Sequence, residues 1–452
     1  MTKNVANPDR LAPAVNKHAV ELESRIRSRS AVIGVVALGY VGLPLSVEFG
    51  KAGYPVIGVD TDAAKVQALW RGESYIQDVP APEVRALVLE AQRFQASTTY
   101  DVLRDADVIF ICVPTPCTRD KEPDTRYIVE AARGIAAHLQ PGRLVILRST
   151  TYPGTTEELV RPILEATGLR VGEDVFLAFA PERVDPGNHR LSFREIPVVV
   201  GGCSPVSTHL AQQLFAQVVD RVVPVSSPAA AEMTKLLENV FRNVNIALAN
   251  QLAVLSDRMG LDVWEIIGAA ATKPFGFMPF WPGPGTGGHC IPVAPCYLVW
   301  KAREYGVHLD FIELAARVND EMPHHVEQKL LLALNPQRTG TETRILVLGI
   351  AFKRDVADSR ESPALKIIEL LRRRGFAVAY HDPFVPEQQA DGVHMLSQPL
   401  TAETVAAADA VVILTDHTAI DYQWVVDHAR LVVDTRNATS GVAKGRERIV
   451  RL

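Results

Sequence analysis

A single thiol, Cys290, closes the run Gly283-Pro-Gly-Thr-Gly-Gly-His289-Cys290-Ile-Pro292. The run is too rich in glycine and proline for helix or strand, and such loops let backbone approach a ligand and leave a side chain unshielded. A thiolate there adds to an aldehyde, hydride loss gives a thioester, and water opens the thioester to a carboxylate. The bland reading, a small buried hydrophobe, fits the same residue. Farther upstream, Lys235, Asn239 and Arg242 recur at i, i+4 and i+7 and so share one stripe of a helix. A cation and an amide on that stripe suit an oxyanion developing on an alcohol or on a thiol adduct; a solvated stripe is the alternative. Glu232 and Glu238 beside them read equally well as ordinary surface charges.

An oxidant is implied at the other end of the chain. A β-branched run, Ala31–Val36, enters Ala37-Leu-Gly39-Tyr40-Val41-Gly42, and Asp60 closes the next strand. Gly39 lets backbone approach a pyrophosphate, Gly42 allows close helix–strand packing, and the helix N-terminus favours phosphate. Asp60, about 20 residues on, suits the ribose hydroxyls, and no arginine follows it directly, which favours NAD over NADP. Ala37 occupies the tight-turn glycine position and costs about 1 kcal/mol if its φ is positive. Two further clusters follow strands: the hydroxyl-rich Ser149-Thr150-Thr151-Tyr152-Pro153-Gly154-Thr155-Thr156, and Pro181-Glu182-Arg183. Both fall where open α/β sheets bind ligands, and Glu182 is placed to act as a general base. Capping and loop roles remain open for each.

These groups need a frame. Strand and helix alternate from Ala31 to about Val200, with apolar runs at Asp107–Val113, Leu144–Leu147, Val175–Ala180 and Val198–Val200. Such alternation predicts a parallel sheet with helices on both faces. Pro228 to Met259 carries no internal glycine or proline and predicts a rod of about 45 Å, a central helix that links two domains and packs on a second subunit. Strands return at Arg344–Leu348, Phe376–Tyr380, Ala410–Leu414 and Leu431–Val433, with a helix over Pro363–Arg374. This second Rossmann-like unit has no G-x-G-x-x-G at its first turn, so it is expected to bind something other than a dinucleotide. The fold class is therefore α/β, two Rossmann-like doubly wound sheets joined by a long helix. The expected domains are an N-terminal arm (1–29), a nucleotide domain (30–225), a central helical dimerisation and active-site domain (226–330) and a C-terminal domain (331–452).

Composition sets the outer limits. The 452 residues have 47% hydrophobic content and a formal charge of −5, which fits a globular protein and gives no basic footprint for nucleic acid. No apolar run is long enough to span a bilayer, and Met1 to Arg29 lacks a signal-peptide core. Cys112, Cys117, Cys203, Cys290 and Cys296 are few and scattered, so the expectation is a reduced, cytoplasmic enzyme with no disulfide framework and no metal site.

With these pieces assembled, the chain resembles the nucleotide-sugar 6-dehydrogenases, the UDP-glucose/UDP-N-acetylhexosamine dehydrogenase family. The resemblance runs from about Ala31 to Asn437. It is carried by Gly39-Tyr-Val-Gly-Leu-Pro44, Cys112-Val-Pro-Thr-Pro116, Ser149-Thr150, Pro153-Gly-Thr155 and Ala180-Pro-Glu-Arg183. Farther on it is carried by Glu232-Met-Thr-Lys-Leu-Leu-Glu-Asn239, Gly287-Gly-His-Cys-Ile-Pro292, Gly349-Ile-Ala-Phe-Lys353, Asp358-Ser-Arg-Glu-Ser-Pro363 and Asp434-Thr-Arg-Asn437. It implies a four-electron oxidation of a sugar C6 hydroxymethyl to a carboxylate with two NAD per turnover. Cys290 falls on the family's nucleophile, Lys235 and Asn239 on its oxyanion pair, Glu182 on its hydrolytic base and Thr150 on a water-positioning hydroxyl. Tyr40, Val41, Thr115 and Arg360 fall on the cofactor side, with Gly39, Gly42, Asp60 and Thr150. Arg183, Arg242, Gly283, Gly285, Gly287, Phe352, Lys353 and Arg436 fall on the UDP-sugar side. Homodimers or multiples of dimers are implied. The motifs are more similar to the N-acetylhexosamine branch, especially UDP-N-acetylglucosamine enzymes, than to the UDP-glucose branch. One position departs: the family places an aspartate that assists proton removal where this chain has Ala294. A UDP-glucose or UDP-N-acetylmannosamine dehydrogenase, a two-electron dehydrogenase and a weakly active UDP-sugar binder are the competing readings.

Overall fold

The computed structural model describes residues 16–118, 120–185, 187, 191–288, 291–334, 343–390 and 392–452. The chain forms two compact units. The first holds residues 1–115, 124–184 and 188–233, and the second holds 116–123, 185–187 and 234–452.

The first unit is built on eight strands: β1 (Ile33–Val36), β2 (Val56–Val59), β3 (Phe94–Ser97), β4 (Val108–Ile111), β5 (Leu144–Leu147), β6 (Phe176–Phe179), β7 (Val198–Gly202) and β8 (Val222–Pro224). Their order is β3-β2-β1-β4-β5-β6-β7-β8. The sheet is parallel except between β6 and β7, which pair antiparallel, so the all-parallel expectation is corrected at one seam. Side chains of successive residues leave opposite faces of a strand. Val35, Phe110 and Ile146 accordingly join one core with Phe49 and Phe215, while Val36, Ile111 and Val145 join a second core with Ile128 and Leu164. Residues 1–15 of the expected arm lie outside the described residues. From Asn16, whose side chain caps the backbone of Ala19, the chain is helical over Lys17–Ser28, and Leu22 and Ile26 enter the first core.

The second unit contains most of the long helix, which runs unbroken over 32 residues from Pro228 to Met259. It also holds helices Val293–Glu304 and Asp310–Ala333. Its sheet is formed by β9 (Arg344–Leu348), β10 (Ala377–His381), β13 (Ala410–Ile413), β14 (Val432–Asp434) and β15 (Ile449–Arg451), in the order β10-β9-β13-β14-β15 and parallel throughout. A hairpin of β11 (Glu387–Ala390) and β12 (Val393–Leu396) stands apart from it. No helix among the described residues is long and apolar enough to cross a membrane.

One expectation about cysteine is overturned. Cys117 and Cys296 form a disulfide across a sequence separation of 179. The bridge sits in the second unit, where Tyr297 also donates its hydroxyl to the carbonyl of Pro116 (3.2 Å).

Candidate active site

In the first unit the candidate side chains collect at the carboxyl ends of the strands. β1 leads into Ala37, whose φ is 71°, so the residue standing in place of glycine does take the left-handed conformation. Its N–H donates to Val59 O at 2.7 Å. A Cβ on Gly39 would meet nothing within 4 Å, whereas a Cβ on Gly42 would lie 1.9 Å from the Ala37 carbonyl oxygen. The first glycine therefore leaves room for a ligand and the second lets the helix Gly42–Lys51 close on the turn. Tyr40 and Val41 lie between them, Tyr40 exposed and Val41 half-buried. Asp60, at the end of β2, accepts from Leu38 N (2.8 Å) and Asp62 N (2.9 Å), and Lys65 Nζ stands 3.4 Å away. An open glycine beside a carboxylate one strand over is the donor and acceptor set that a dinucleotide's pyrophosphate and ribose need.

Beyond β4 and β5, Thr115 donates its hydroxyl to the backbone oxygen of Thr150 (2.7 Å), tying the two strand ends together. Arg148, 1% exposed, donates from Nε and Nη2 to Glu182 at 3.1 and 2.7 Å. Glu182 also accepts from the backbone N–H groups of Arg183 (2.7 Å) and Val184 (2.8 Å). Burial opposes ionisation of Glu182 most strongly, yet the Arg148 charge and these backbone donors prevail and hold the carboxyl below the usual range. Glu182 is thus an anion at neutral pH, fixed in direction by a partner the sequence did not reveal. The Arg183 guanidinium donates to Pro197 O (2.6 Å).

Glu232 corrects the expectation of a surface charge. It is fully buried and accepts from Gly154 N (2.6 Å), Thr156 N (2.9 Å) and Thr156 Oγ1 (2.6 Å), holding the end of the hydroxyl-rich segment. Burial, partly offset by these donors, raises its pKa from 4.5 to about 7. A carboxyl whose folded pKa exceeds its unfolded value favours the folded state when protonated. That contribution is complete below about pH 4.5 and is lost as pH rises through 7. We expect wild-type unfolding free energy to fall by up to about 3 kcal/mol over that window relative to Glu232→Gln. Parallel pH–stability profiles of the two proteins, measured by urea unfolding, would remove the assignment.

In the second unit the glycine-rich loop is packed from several sides. Gly283 N donates to Asn250 Oδ1 (2.9 Å), and a Cβ on Gly283 would lie 2.7 Å from Arg436 Nη1. Gly285, with φ of 130°, abuts Asn319 O, and Gly287 and Gly288 lie against Phe352. The Arg436 Nε donates to Leu414 O (3.0 Å). Burial first, and then the nearby Arg354, push its pKa down to about 10, and the guanidinium stays charged at neutral pH. Lys353 Nζ and Arg242 Nη2 flank the two oxygens of Asp185, at 2.7 and 3.8 Å. Arg360 makes a two-pronged pair with Asp358 (Nη2–Oδ2 2.7 Å) and lies in this unit, and its backbone oxygen accepts from Gly288 N. On the long helix Lys235 is half-buried and Asn239 is 3% exposed. Ala294, at the departing family position, is fully buried. His289 and Cys290 lie outside the described residues.

The second Rossmann-like turn explains its own lack of a dinucleotide signature. Asp382, at the end of β10, is the topological counterpart of Asp60 at the end of β2. Its Oδ2 accepts from Ile350 N, Ala351 N and His417 Nε2, and its Oδ1 from Phe384 N and Val385 N. The carboxylate is consumed by the protein and has nothing left for ribose hydroxyls.

Comparison with known proteins resolves the family. Family models match three consecutive stretches: the UDP-glucose/GDP-mannose dehydrogenase NAD binding domain over residues 31–219, the central domain over 229–321 and the UDP binding domain over 346–441. The chain belongs to the UDP-glucose/GDP-mannose dehydrogenase family. Its first domain binds NAD, matching the open Gly39 and the adjacent Asp60. Its last is a UDP-binding domain, in keeping with a Rossmann-like turn whose acidic residue is already occupied. The chain is 36% identical over 414 residues to the UDP-N-acetyl-D-mannosamine dehydrogenase of Pyrococcus horikoshii, covering 90% of this chain and 95% of that one. It is also 36% identical over 389 residues to the UDP-N-acetyl-D-glucosamine 6-dehydrogenase of Pseudomonas aeruginosa, covering 85% and 90%. The solved structure of the Pyrococcus horikoshii UDP-D-ManNAc dehydrogenase has a TM-score of 0.82 at 34% identity, covering 90% of this chain and 96% of that one. The protein is therefore an NAD-dependent nucleotide-sugar dehydrogenase.

Proposed function

We propose that the protein oxidises the C6 hydroxymethyl of UDP-N-acetylglucosamine to the carboxylate through a covalent adduct on Cys290. The observation that carries this is Asn239: its Nδ2 is buried yet has no hydrogen-bond partner among the described residues, one helical turn from Lys235. Buried donors are nearly always satisfied, so an idle one beside a cation is a donor reserved for substrate oxygen. NAD, held at Gly39, Gly42 and Asp60, would supply the hydride acceptor for both oxidations. Lys235 and Asn239 hold the alkoxide and then the adduct oxygen. The Cys290 sulfur adds to the aldehyde carbon, and after the second oxidation the resulting thioester is opened by water. Glu182 takes that water's proton, and Thr150 orients the water. In sum, one alcohol, two NAD and one water give one carboxylate, two NADH and three protons. Lys353, Arg436, Arg242, Arg183 and Phe352, with the glycines of the 283–287 loop, hold the UDP-sugar, and Arg360 assists the cofactor.

N-acetylglucosamine as the sugar rests on the similarity of Lys273-Pro-Phe-Gly-Phe-Met-Pro-Phe280, of the glycine-rich run ending at Cys290 and of Asn239-Val-Phe-Arg242 to the N-acetylhexosamine branch, and on the relative from Pseudomonas aeruginosa. Assay of four UDP-sugars (glucose, N-acetylglucosamine, N-acetylgalactosamine and N-acetylmannosamine) is expected to give the highest kcat/KM with N-acetylglucosamine and two NADH per sugar. One NADH with an aldehyde product would sink the covalent route. We further propose a homodimer built on the long helix. Leu237, Phe241, Leu248, Leu252, Leu255 and Met259 fall along one side of it, each more than 40% exposed, and a stripe of this size calls for a second copy. Sedimentation as a monomer at micromolar concentration contradicts that assembly.

A further inference from the structure

Asn239, Asn243 and Asn250 follow one line along the long helix, at i, i+4 and i+11, and all three are buried (3%, 1% and 0% exposed). Asn250 is fully engaged, donating to Asn319 Oδ1 (2.9 Å) and accepting from Gly283 N (2.9 Å). Asn319 Nδ2 in turn reaches the backbone oxygen of Asn243 (3.0 Å). This amide chain fixes the helix, the glycine-rich loop and helix Asp310–Ala333 against one another. The next two asparagines differ. Asn239 Nδ2 and Asn243 Oδ1 have no hydrogen-bond partner among the described residues. One turn apart on the same face of the helix, they leave an unused donor and an unused acceptor in the interior. Each is unfavourable while unmet.

The chemistry that satisfies both is narrow. A phosphate or carboxylate meets only the donor, and an ammonium meets only the acceptor. A hydroxyl does both with one oxygen. We propose that Asn243 is a substrate-positioning residue: its Oδ1 accepts the hydrogen bond of the sugar's primary hydroxyl while Asn239 Nδ2 donates to the same oxygen. The inference rests on the proposed 6-hydroxyl oxidation and adds a residue to it. Holding the O–H toward Asn243 turns an oxygen lone pair toward Asn239. The aldehyde has no proton to give, so the Asn243 contact serves the alcohol only. Its loss therefore raises KM for the first oxidation more than it lowers kcat.

The test compares calorimetric affinities for the preferred UDP-sugar and its 6-deoxy analogue. Wild type is expected to favour the hydroxylated ligand by about tenfold or more. Asn243→Leu is expected to reduce that preference by about fivefold, one hydrogen bond's worth, with KM raised by a similar factor. Asn243→Asp, which keeps the acceptor, is expected to retain the preference. Because an unmet buried acceptor is removed, Asn243→Leu should melt no lower than wild type without ligand. If that variant fails to fold, Asn243→Ala is read in the same way. An unchanged preference in the variant, no preference in wild type, or a lowered melting temperature with unchanged preference (a structural water between the amides) overturns the inference and leaves the proposed function standing. Absence of UDP-sugar binding by wild type overturns both.

Discussion

Replacing Cys290 with alanine is expected to lower acid formation by at least about a thousandfold while leaving UDP-sugar affinity within about twofold. The size of the effect follows from the other four cysteines. Cys112 is buried among strand side chains, and burial pushes its thiol up to about 12. Cys203 is pushed up to about 12 as well, by burial and then by the carboxylate of Glu157. At neutral pH each exists as thiolate in only about one molecule in 10⁵. Cys117 and Cys296 are joined to each other and offer no thiol. None of these four sulfurs can take over, so the proposed second oxidation loses its covalent route without Cys290. Single-turnover quench with product chromatography measures the acid, and calorimetry measures the UDP-sugar. Undiminished acid from the alanine variant would end the nucleophile assignment. Loss of binding in step with loss of acid would recast Cys290 as a packing residue of the loop.

The parts of this site that sequence reading reached share one property: their partners are close in the chain. The turn from Ala37 to Gly42 with Asp60 is a strand–turn–helix–strand unit, and its physical requirements are visible as residue types, including a positive φ at Ala37. The loop glycines were legible as residue types alone, while their neighbours Asn250, Arg436, Asn319 and Phe352 lie far along the chain. What escaped depends on distant partners. Glu232 lies on a helix with apolar residues on several faces, so periodicity could not say which side is buried, and its donors are 76 and 78 residues away. Arg148 ends a buried strand, and nothing local assigns it to Glu182, 34 residues on. The disulfide joins cysteines 179 apart, a pairing that spacing cannot reveal. Strand β3, Phe-Gln-Ala-Ser, lacks the β-branched residues that announce a strand and is held at the sheet edge by pairing to β2. The antiparallel seam between β6 and β7 is likewise invisible to alternation, which gives elements and not directions.

Gly42→Ala and Gly39→Val are expected to abolish NAD binding for opposite reasons, and the pair separates fold from ligand. A Cβ at residue 42 would sit 1.9 Å from the carbonyl oxygen of Ala37 and 3.0 Å from its carbon. That neighbour is backbone and cannot swing aside. It is also fixed by its N–H bond to Val59 and by a left-handed φ that already carries strain. The helix Gly42–Lys51 must therefore retreat from the turn, exposing part of a face that buries Leu43, Leu45, Val47 and Phe49. We expect a loss of about 3 kcal/mol in unfolding free energy together with at least about a hundredfold loss in NAD affinity. Residue 39 has nothing within 4 Å of its Cβ position and no positive φ. Valine there should change unfolding free energy by less than about 0.5 kcal/mol yet fill the space through which backbone N–H groups meet the pyrophosphate, again reducing NAD affinity by about a hundredfold or more. Thermal melts and NAD titrations on the same preparations measure both. Wild-type NAD affinity in Gly39→Val would mean that the pyrophosphate lies elsewhere. A wild-type melting temperature in Gly42→Ala would mean that the turn gives way more easily than its strained alanine implies. If stability falls only in Gly42→Ala while affinity falls in both, the two glycines differ as their surroundings require: one is small so that the protein can close, and the other so that the cofactor can enter.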